Sequence, residues 1–374
     1  MPDAADAPAA GWDQVISVVV ERLRLAPGER VFAAGLPGLF DELPEALARA
    51  VERSGAVYLG TISADGPYGE AGDDAFREAA AGLGREGFRE LLRDVPVGVM
   101  LPGATDPAYG AMTDLLREGL GDHRAIHFHW GGAYPIESRS IPVGSEAGAS
   151  PTKDPLAAAL YRRAIIDVDY EALSTSQEAF ETAARAGEIH VTTPSGTDVR
   201  FRIGDRPVNR QDGEASGERA RRARIIIDRE LEFPAGVLRV APVESTVNGV
   251  LAFPRSRWGG QDVIDLTLTI ESGRITAIEA SSGVEAARAE LEAAGESAAF
   301  RELGVGFNPL LAIPDEDPWL PYFGYGAGVV RLSLGDNTEL GGTIGGGYVK
   351  WVFVLDATVD VGGERWVEDG RLIR

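Results

Sequence analysis

Hydrophobic positions in the first half of the chain follow two alternating patterns. Between Trp12 and Leu25 they fall at Val15, Ile16, Val19, Val20 and Leu23, the one-sided stripe of an amphipathic helix. Pro27-Gly28-Glu29 ends that stripe, and the apolar run Val31–Ala34 after it predicts a short buried strand. The alternation then repeats: helix over 43–53, strand over 56–61, helix over 74–94 with a break near Gly82, strand over 97–101, helix over 109–118, strand over 125–130. Strands separated by helices imply right-handed crossovers and a mainly parallel sheet, so an α/β, Rossmann-like N-terminal domain is expected. Residues 143–155, rich in Gly, Ser, Ala and Pro, predict a surface loop, and residues 161–185 a helical stretch connecting the halves.

After Gly187 the period changes to two. Residues 188–193 and 198–203 flank Pro194-Ser-Gly-Thr197, and residues 263–270 and 275–280 flank Glu271-Ser-Gly-Arg274; both read as hairpins. A helix is predicted over 284–294, and strands over 329–334 and 348–361. The expected division is an α/β domain over 1–186 and a β-rich α+β domain over 187–374, consistent with a length of 374 residues.

Composition narrows the function classes. With 58 acidic against 36 basic side chains the formal charge is −22, which disfavours nucleic acid and anionic membrane as partners. No run of eighteen apolar residues occurs, and Met1-Pro-Asp-Ala-Ala-Asp lacks the basic and apolar regions of a secretory signal, so a cytoplasmic protein is expected. Cysteine is absent, which excludes disulfides, thiolate metal sites and a cysteine nucleophile. Lysine occurs only at Lys153 and Lys350, all other basic residues being arginine.

Few local motifs carry chemistry on their own. Gly82-Leu-Gly84-Arg-Glu-Gly87 matches G-x-G-x-x-G but follows a helix rather than a strand, so it reads as a helix break. His127 and His129 stand two apart on a predicted strand and therefore share a face. That spacing suits either a metal pair or structural packing, and His129 also falls at the strand end where α/β sheets bind ligands. Asp336 and Asn337, just after a strand, fit an Asx turn or the wall of a substrate cavity.

Four segments of the second half acquire meaning as an ordered set: Pro234-Ala-Gly-Val237 running into Ala241-Pro-Val-Glu244-Ser-Thr-Val-Asn248-Gly249; Arg301-Glu302-Leu-Gly-Val-Gly-Phe-Asn308-Pro309; Gly328-Val-Val-Arg331-Leu-Ser-Leu-Gly-Asp336-Asn337; and Gly347-Tyr-Val-Lys350-Trp-Val352. Together they resemble the aminopeptidase T-like metallopeptidase family, also called thermophilic metalloproteases. The resemblance implies an aminopeptidase T-like fold, a homodimer, and a metal pair held in an enclosed chamber by two glutamates, two histidines and an aspartate. Carried onto this chain, the first glutamate position is Val237, the second is Glu302, the first histidine is Arg331, and the His-x-Asp pair falls on Lys350 and Val352. The dihydroxypyridine ring-cleaving dioxygenases, which look distantly related to that family, need a His-x-Asp iron site as well.

One ligand position of that set keeps a carboxylate, and two carry cations. The expectation is that Arg331 and Lys350 replace the metals' charge beside Glu302, with Glu244 in reach, and that no metal cofactor is needed. Zinc or cobalt is the alternative if the alignment of ligands is wrong, and His127 with His129 is a second place for a metal. The resulting reading is a divergent aminopeptidase-like hydrolase acting on a small amide, peptide or carboxylate-bearing metabolite. Glu302, Lys350 and Arg331 are its candidate catalytic residues, and Glu244, Asn248, Asn308, Asp336 and His129 line the substrate site. The competing reading is a catalytically inactive homologue that binds a small metabolite or a partner.

Overall fold

Val31, Phe32, Ala33 and Ala34 are all buried, as a strand needs to be when both faces of its sheet are covered. In the computed structural model, which describes residues 12–130, 134–135, 143–144, 155–315, 319–320 and 324–374, this run belongs to the strand Arg30–Ala34. The chain divides into two compact units, one of Met1–Gly131, Ser150–Asp167 and Gly213–Pro234, the other of Gly132–Ala149, Val168–Asp212 and Ala235–Arg374.

The first unit is built on a sheet in the order Glu230–Phe233, Arg124–Phe128, Val97–Met100, Arg30–Ala34, Val57–Ser63, Gly66–Tyr68. All neighbours pair in parallel except the last, a short antiparallel return. Helices Asp74–Ala80, Arg85–Leu91 and Ala108–Glu118 cover it through Phe76, Phe88, Met112 and Leu115, which pack on Phe32, Leu59, Ile62 and Met100. The helix Trp12–Leu23 buries the five apolar residues of its stripe. Gly82 and Gly84 lie between two short helices, so the G-x-G-x-x-G string is a helix break. Sequence periodicity did not reveal that Glu230–Phe233, far along the chain, closes this sheet at the Arg124–Phe128 edge.

The second unit holds two large antiparallel sheets and a two-stranded one that pairs Tyr134–Pro135 with Trp319–Leu320. The shorter of the large sheets runs Val208–Arg210, Val237–Val240, Phe300–Gly306, Val330–Gly335, Val352–Val354, Val143–Gly144, with Val349–Lys350 also on Val330–Gly335. The longer runs from Arg274–Glu279 through the hairpin partner Gln261–Glu271, then Asn248–Trp258, Asp198–Phe201 and Ile189–Thr192 to the C-terminal strands. One face of the short sheet, carrying Leu238, Val240, Leu303, Val305, Val330, Leu332 and Leu334, shares a core with Val191, Phe201, Leu251 and Leu268 of the long one. The helices Tyr170–Ala186 and Val284–Ala294 add Phe180, Ala287 and Leu291 to that core.

Two expectations are corrected here. The helical stretch 161–185 is two helices, Pro155–Ile166 and Tyr170–Ala186, because Asp169 takes an extended conformation and its carboxylate caps the second by accepting from the N–H groups of Glu171 and Ala172. Within the expected loop 143–155, Val143 and Gly144 pair with Phe353 and Val352 as an edge strand; residues 145–154, including Lys153, lie outside the described residues, as does Met1–Asp6. No helix among the described residues is long and apolar enough to cross a membrane.

Candidate functional site

Period-two alternation in the short sheet sends one set of side chains to the core and the other to the opposite face. Arg239, Glu302 and Arg331, charged residues inside otherwise apolar strands, fall on that opposite face. Arg239 and Arg331 both stand opposite Gly304 of the strand between them, and Glu302, two residues before Gly304, stands opposite Ser333. The missing Cβ at Gly304 gives Arg331 its room in the row, since a Cβ there would meet Arg331 Cβ and Nε at 3.2 Å. The register slips between Phe300 and Glu302, and this bulge brings Arg301 alongside, its Nε 3.7 Å from Glu302 Oε1.

The result is a knot of fixed charge. Glu302, with no solvent exposure, accepts from Arg239 Nε at 3.1 Å and from the Ser333 hydroxyl at 2.9 Å, and its Oε1 lies 3.1 Å from Arg331 Nε. Glu339, on the short 3-10 turn Thr338–Leu340, places Oε1 2.6 Å from Arg239 Nη2 and also accepts from Arg301 Nη2. Burial pushes the Glu302 carboxyl up, but Arg239, Arg331, Arg301 and the Ser333 hydroxyl outweigh it and hold the group well below the ordinary carboxylate range. Glu339 is lowered too: burial raises it, whereas Arg239 and Arg301 bring it down more than Glu302 pushes it up. The Arg331 guanidinium also lies 5.3 Å from the centre of the Trp351 ring.

Lys350 is not part of this knot. It pairs with Leu334, whereas Arg331 pairs with Phe353, so the two cations differ by an odd step and occupy opposite faces of the sheet. On its own face Lys350 Nζ bonds Glu290 Oε1 at 3.0 Å and sits 4.3 Å from the Trp258 ring centre. Glu290 also accepts from the Tyr348 hydroxyl at 2.7 Å and from Gly259 N–H at 2.7 Å. The same register turns Trp351 and Phe353, rather than Lys350 and Val352, toward the face of Arg331. Phe353 joins Ile313, Val329 and Leu355 in an apolar cluster there, against which Trp351 packs.

The remaining candidates are held by local structure. Glu244 bonds Arg206, and accepts from Asn337 Nδ2 at 3.2 Å and Thr343 N–H at 2.8 Å. Asn337 approaches the arginine strand as well, its Nδ2 3.5 Å from the Arg301 carbonyl. Asp336 accepts from the N–H and hydroxyl of Thr338 and from Gly347 N–H, an Asx turn. Asn308 caps the turn Pro309–Leu311 and donates to the Ala235 carbonyl, while Asn248 bridges Thr246 and Ser272. In the first unit His127 and His129 stack at 3.8 Å, and burial lowers His127 to about 4 and His129 further. Among the described residues no three His, Asp or Glu side chains are grouped so as to hold a metal ion.

These donors do not suit the metal pair that the family resemblance implies. Val237 is a buried aliphatic residue and Arg331 a cation, and Lys350 and Val352, where the His-x-Asp pair is expected, lie on the face of the sheet opposite Arg331 and Glu302. The carboxylate that remains, Glu302, already lies among three guanidinium groups, whose charge would repel a divalent ion. Sequence reading had missed Arg239, Arg301 and Glu339 as members of the site. The available signal was a charge interrupting an apolar run, as in Leu238-Arg239-Val240 and Phe300-Arg301-Glu302-Leu303.

Neither a protein-family model nor a curated protein sequence matches the chain. Solved structures do. The chain superposes on 2,5-dihydroxypyridine dioxygenase from Pseudomonas putida KT2440 with a TM-score of 0.63 at 17% identity, covering 98% of each chain. It superposes on wild-type AmpT from Thermus thermophilus with a TM-score of 0.58 at 15% identity, covering 97% of this chain and 100% of the other. The class so defined is one of architecture: a mixed α/β, aminopeptidase T-like fold shared with proteins named for two different reactions.

Proposed function

We propose that the chain is a metal-independent member of this fold whose second unit binds a small carboxylate-bearing molecule at Arg239, Arg301 and Arg331. The observation that carries the reading is the cationic cluster on one sheet face: three buried guanidinium groups gathered about the carboxylates of Glu302 and Glu339. Arginine forks match carboxylates in geometry as well as charge. The apolar side chains Phe353, Ile313, Val329 and Leu355, with Trp351, supply a neighbouring surface for the body of such a ligand.

Binding is favoured over amide hydrolysis by the state of the two groups that hydrolysis would use. Glu302 is held far below the ordinary carboxylate range and is a weak base near neutral pH. The Lys350 ammonium is bound to Glu290 on the other face of the sheet, away from the arginines. A homodimer and the lack of nucleic-acid or membrane partners belong to the same proposal; the charge of −22 supports the latter.

The test is calorimetric titration of the purified protein with acetate, benzoate and L-leucine, beside an assay for leucinamide hydrolysis. Saturable acid binding that disappears in Arg331→Met, with no leucinamide turnover, supports the proposal. Leucinamide turnover, or no saturable binding of any of the acids to either the wild type or a Glu339→Gln variant, overturns it.

A further inference from the structure

The Glu339 carboxylate differs from the other members of the charge knot in one respect. The side chains of Arg301, Arg239 and Glu302 are 2%, 6% and 0% exposed, whereas that of Glu339 is 41% exposed. A single oxygen of Glu339 serves both arginines, accepting from Arg239 Nη2 and from Arg301 Nη2. It is an alkyl carboxylate, reaching in from the solvent side, on the pair of guanidinium groups that an external carboxylate would use.

The main chain that carries Glu339 is anchored independently of this contact. Leu340 is fully buried, the N–H and hydroxyl of Thr338 bond Asp336, and Gly342 N–H and Ile344 N–H bond the carbonyl and side chain of Asn337. Gly341 supplies the left-handed conformation, φ +76°, that closes the turn. The turn therefore keeps its place if the arginine contact is lost, and only the Glu339 side chain needs to rotate.

Resting on the reading above, we infer that Glu339 is a built-in competitor: its carboxylate holds the ligand's position on Arg239 and Arg301, and a small carboxylic acid binds by displacing it. Glu302 remains in place, since it is fully enclosed and is bound by Arg239, Arg331 and Ser333. With Glu339 rotated out, Arg239 and Arg301 each lose one carboxylate contact, and one incoming monocarboxylate replaces it. The ligand class follows from the group displaced: one carboxylate on a compact body, in preference to a phosphate, which differs from it in shape and charge.

A competitor lowers apparent affinity by the fraction of time it leaves the site free. Removing its charge in Glu339→Gln should tighten acetate and benzoate binding by about tenfold, while inorganic phosphate gains less. Glu339→Asp, which retracts the carboxylate by one methylene, should fall between that variant and the wild type. Arg239→Gln in the Glu339→Gln background should remove the gain. Equal acid affinity in wild type, Glu339→Gln and Glu339→Asp would overturn the competitor role while leaving the binding site standing. No acid binding in any of them would overturn the underlying site as well. If both Glu339 variants fail to give the native circular dichroism and melting transition, Glu339 is a structural tie and the competitor role falls.

Discussion

Glu302 and Arg331 lie on neighbouring strands with Oε1 and Nε 3.1 Å apart, and the Arg331 side chain lies over Gly304, where an added Cβ would come within 3.2 Å of it. Arg331 cannot retreat from an added Cβ without leaving Glu302 and the Trp351 ring. Gly304→Ala would gain about 0.5–1 kcal/mol from reduced chain entropy, less than the roughly 1–3 kcal/mol that overpacking costs. We expect a net loss on the order of 1 kcal/mol, read from the urea midpoint. A stabilised variant would mean that the arginine does not lie over Gly304.

Neutralising Glu302 removes a fully enclosed anion from among three buried arginines. Breaking a buried pair leaves uncompensated charge and typically costs about 3–5 kcal/mol. Glu302→Gln should therefore be among the most destabilising single changes in the second unit, lowering the melting temperature well beyond any exposed Glu→Gln control. A loss no larger than the control would show that the arginines have other anions to lean on.

Acid lowers stability in two separate windows. His127 is held at about 4 by burial, below the unfolded value of about 6.5. The unfolded chain thus binds the extra proton first, and stability falls as pH drops from about 6.5 to 4, by roughly 3 kcal/mol for this group. Glu302 and Glu339 are depressed carboxyls, so their contribution is present above about 4.3 and is lost only as pH falls further toward their folded values. Urea midpoints measured from pH 7 to 3 should show both declines. His127→Gln should lessen the upper decline, which the likewise depressed His129 shares, and leave the lower one; an unchanged upper slope in that variant would contradict the assignment.

Lys350→Met should leave acid binding untouched. The replacement keeps an apolar stem near Trp258, and Glu290 keeps its bonds from Tyr348 and Gly259. A stability cost of about 1–2 kcal/mol is expected for the lost charge-assisted bond. Weakened binding of benzoate at unchanged fold would place Lys350 at the arginine face after all.

How much of this was legible beforehand depends on which kind of pairing was involved. The helix Trp12–Leu23 and the hairpins at Pro194–Thr197 and Glu271–Arg274 declare themselves locally, by stripe and turn, and the structure has them there. The closure of the parallel sheet by Glu230–Phe233 depends on a contact across about a hundred residues, for which periodicity offers no signal. Lys350 shows the same limit within the site. Its face depends on the register between Val330–Gly335 and Val349–Lys350, and the connection over 336–348 is too long for a turn type to fix that register. Arg239, by contrast, was readable as a charge between two apolar neighbours, and Glu339 was not, since its role comes from a turn that folds back onto the strands.

Arg331 puts fixed guanidinium charge beside Glu302, at a position where the family resemblance implies a metal ligand. The most direct test is elemental analysis of protein incubated with zinc, cobalt or iron(II) and then freed of unbound metal. We predict well under one equivalent per chain, unchanged in Glu302→Gln. One or two equivalents retained by the wild type and lost in Glu302→Gln would contradict it.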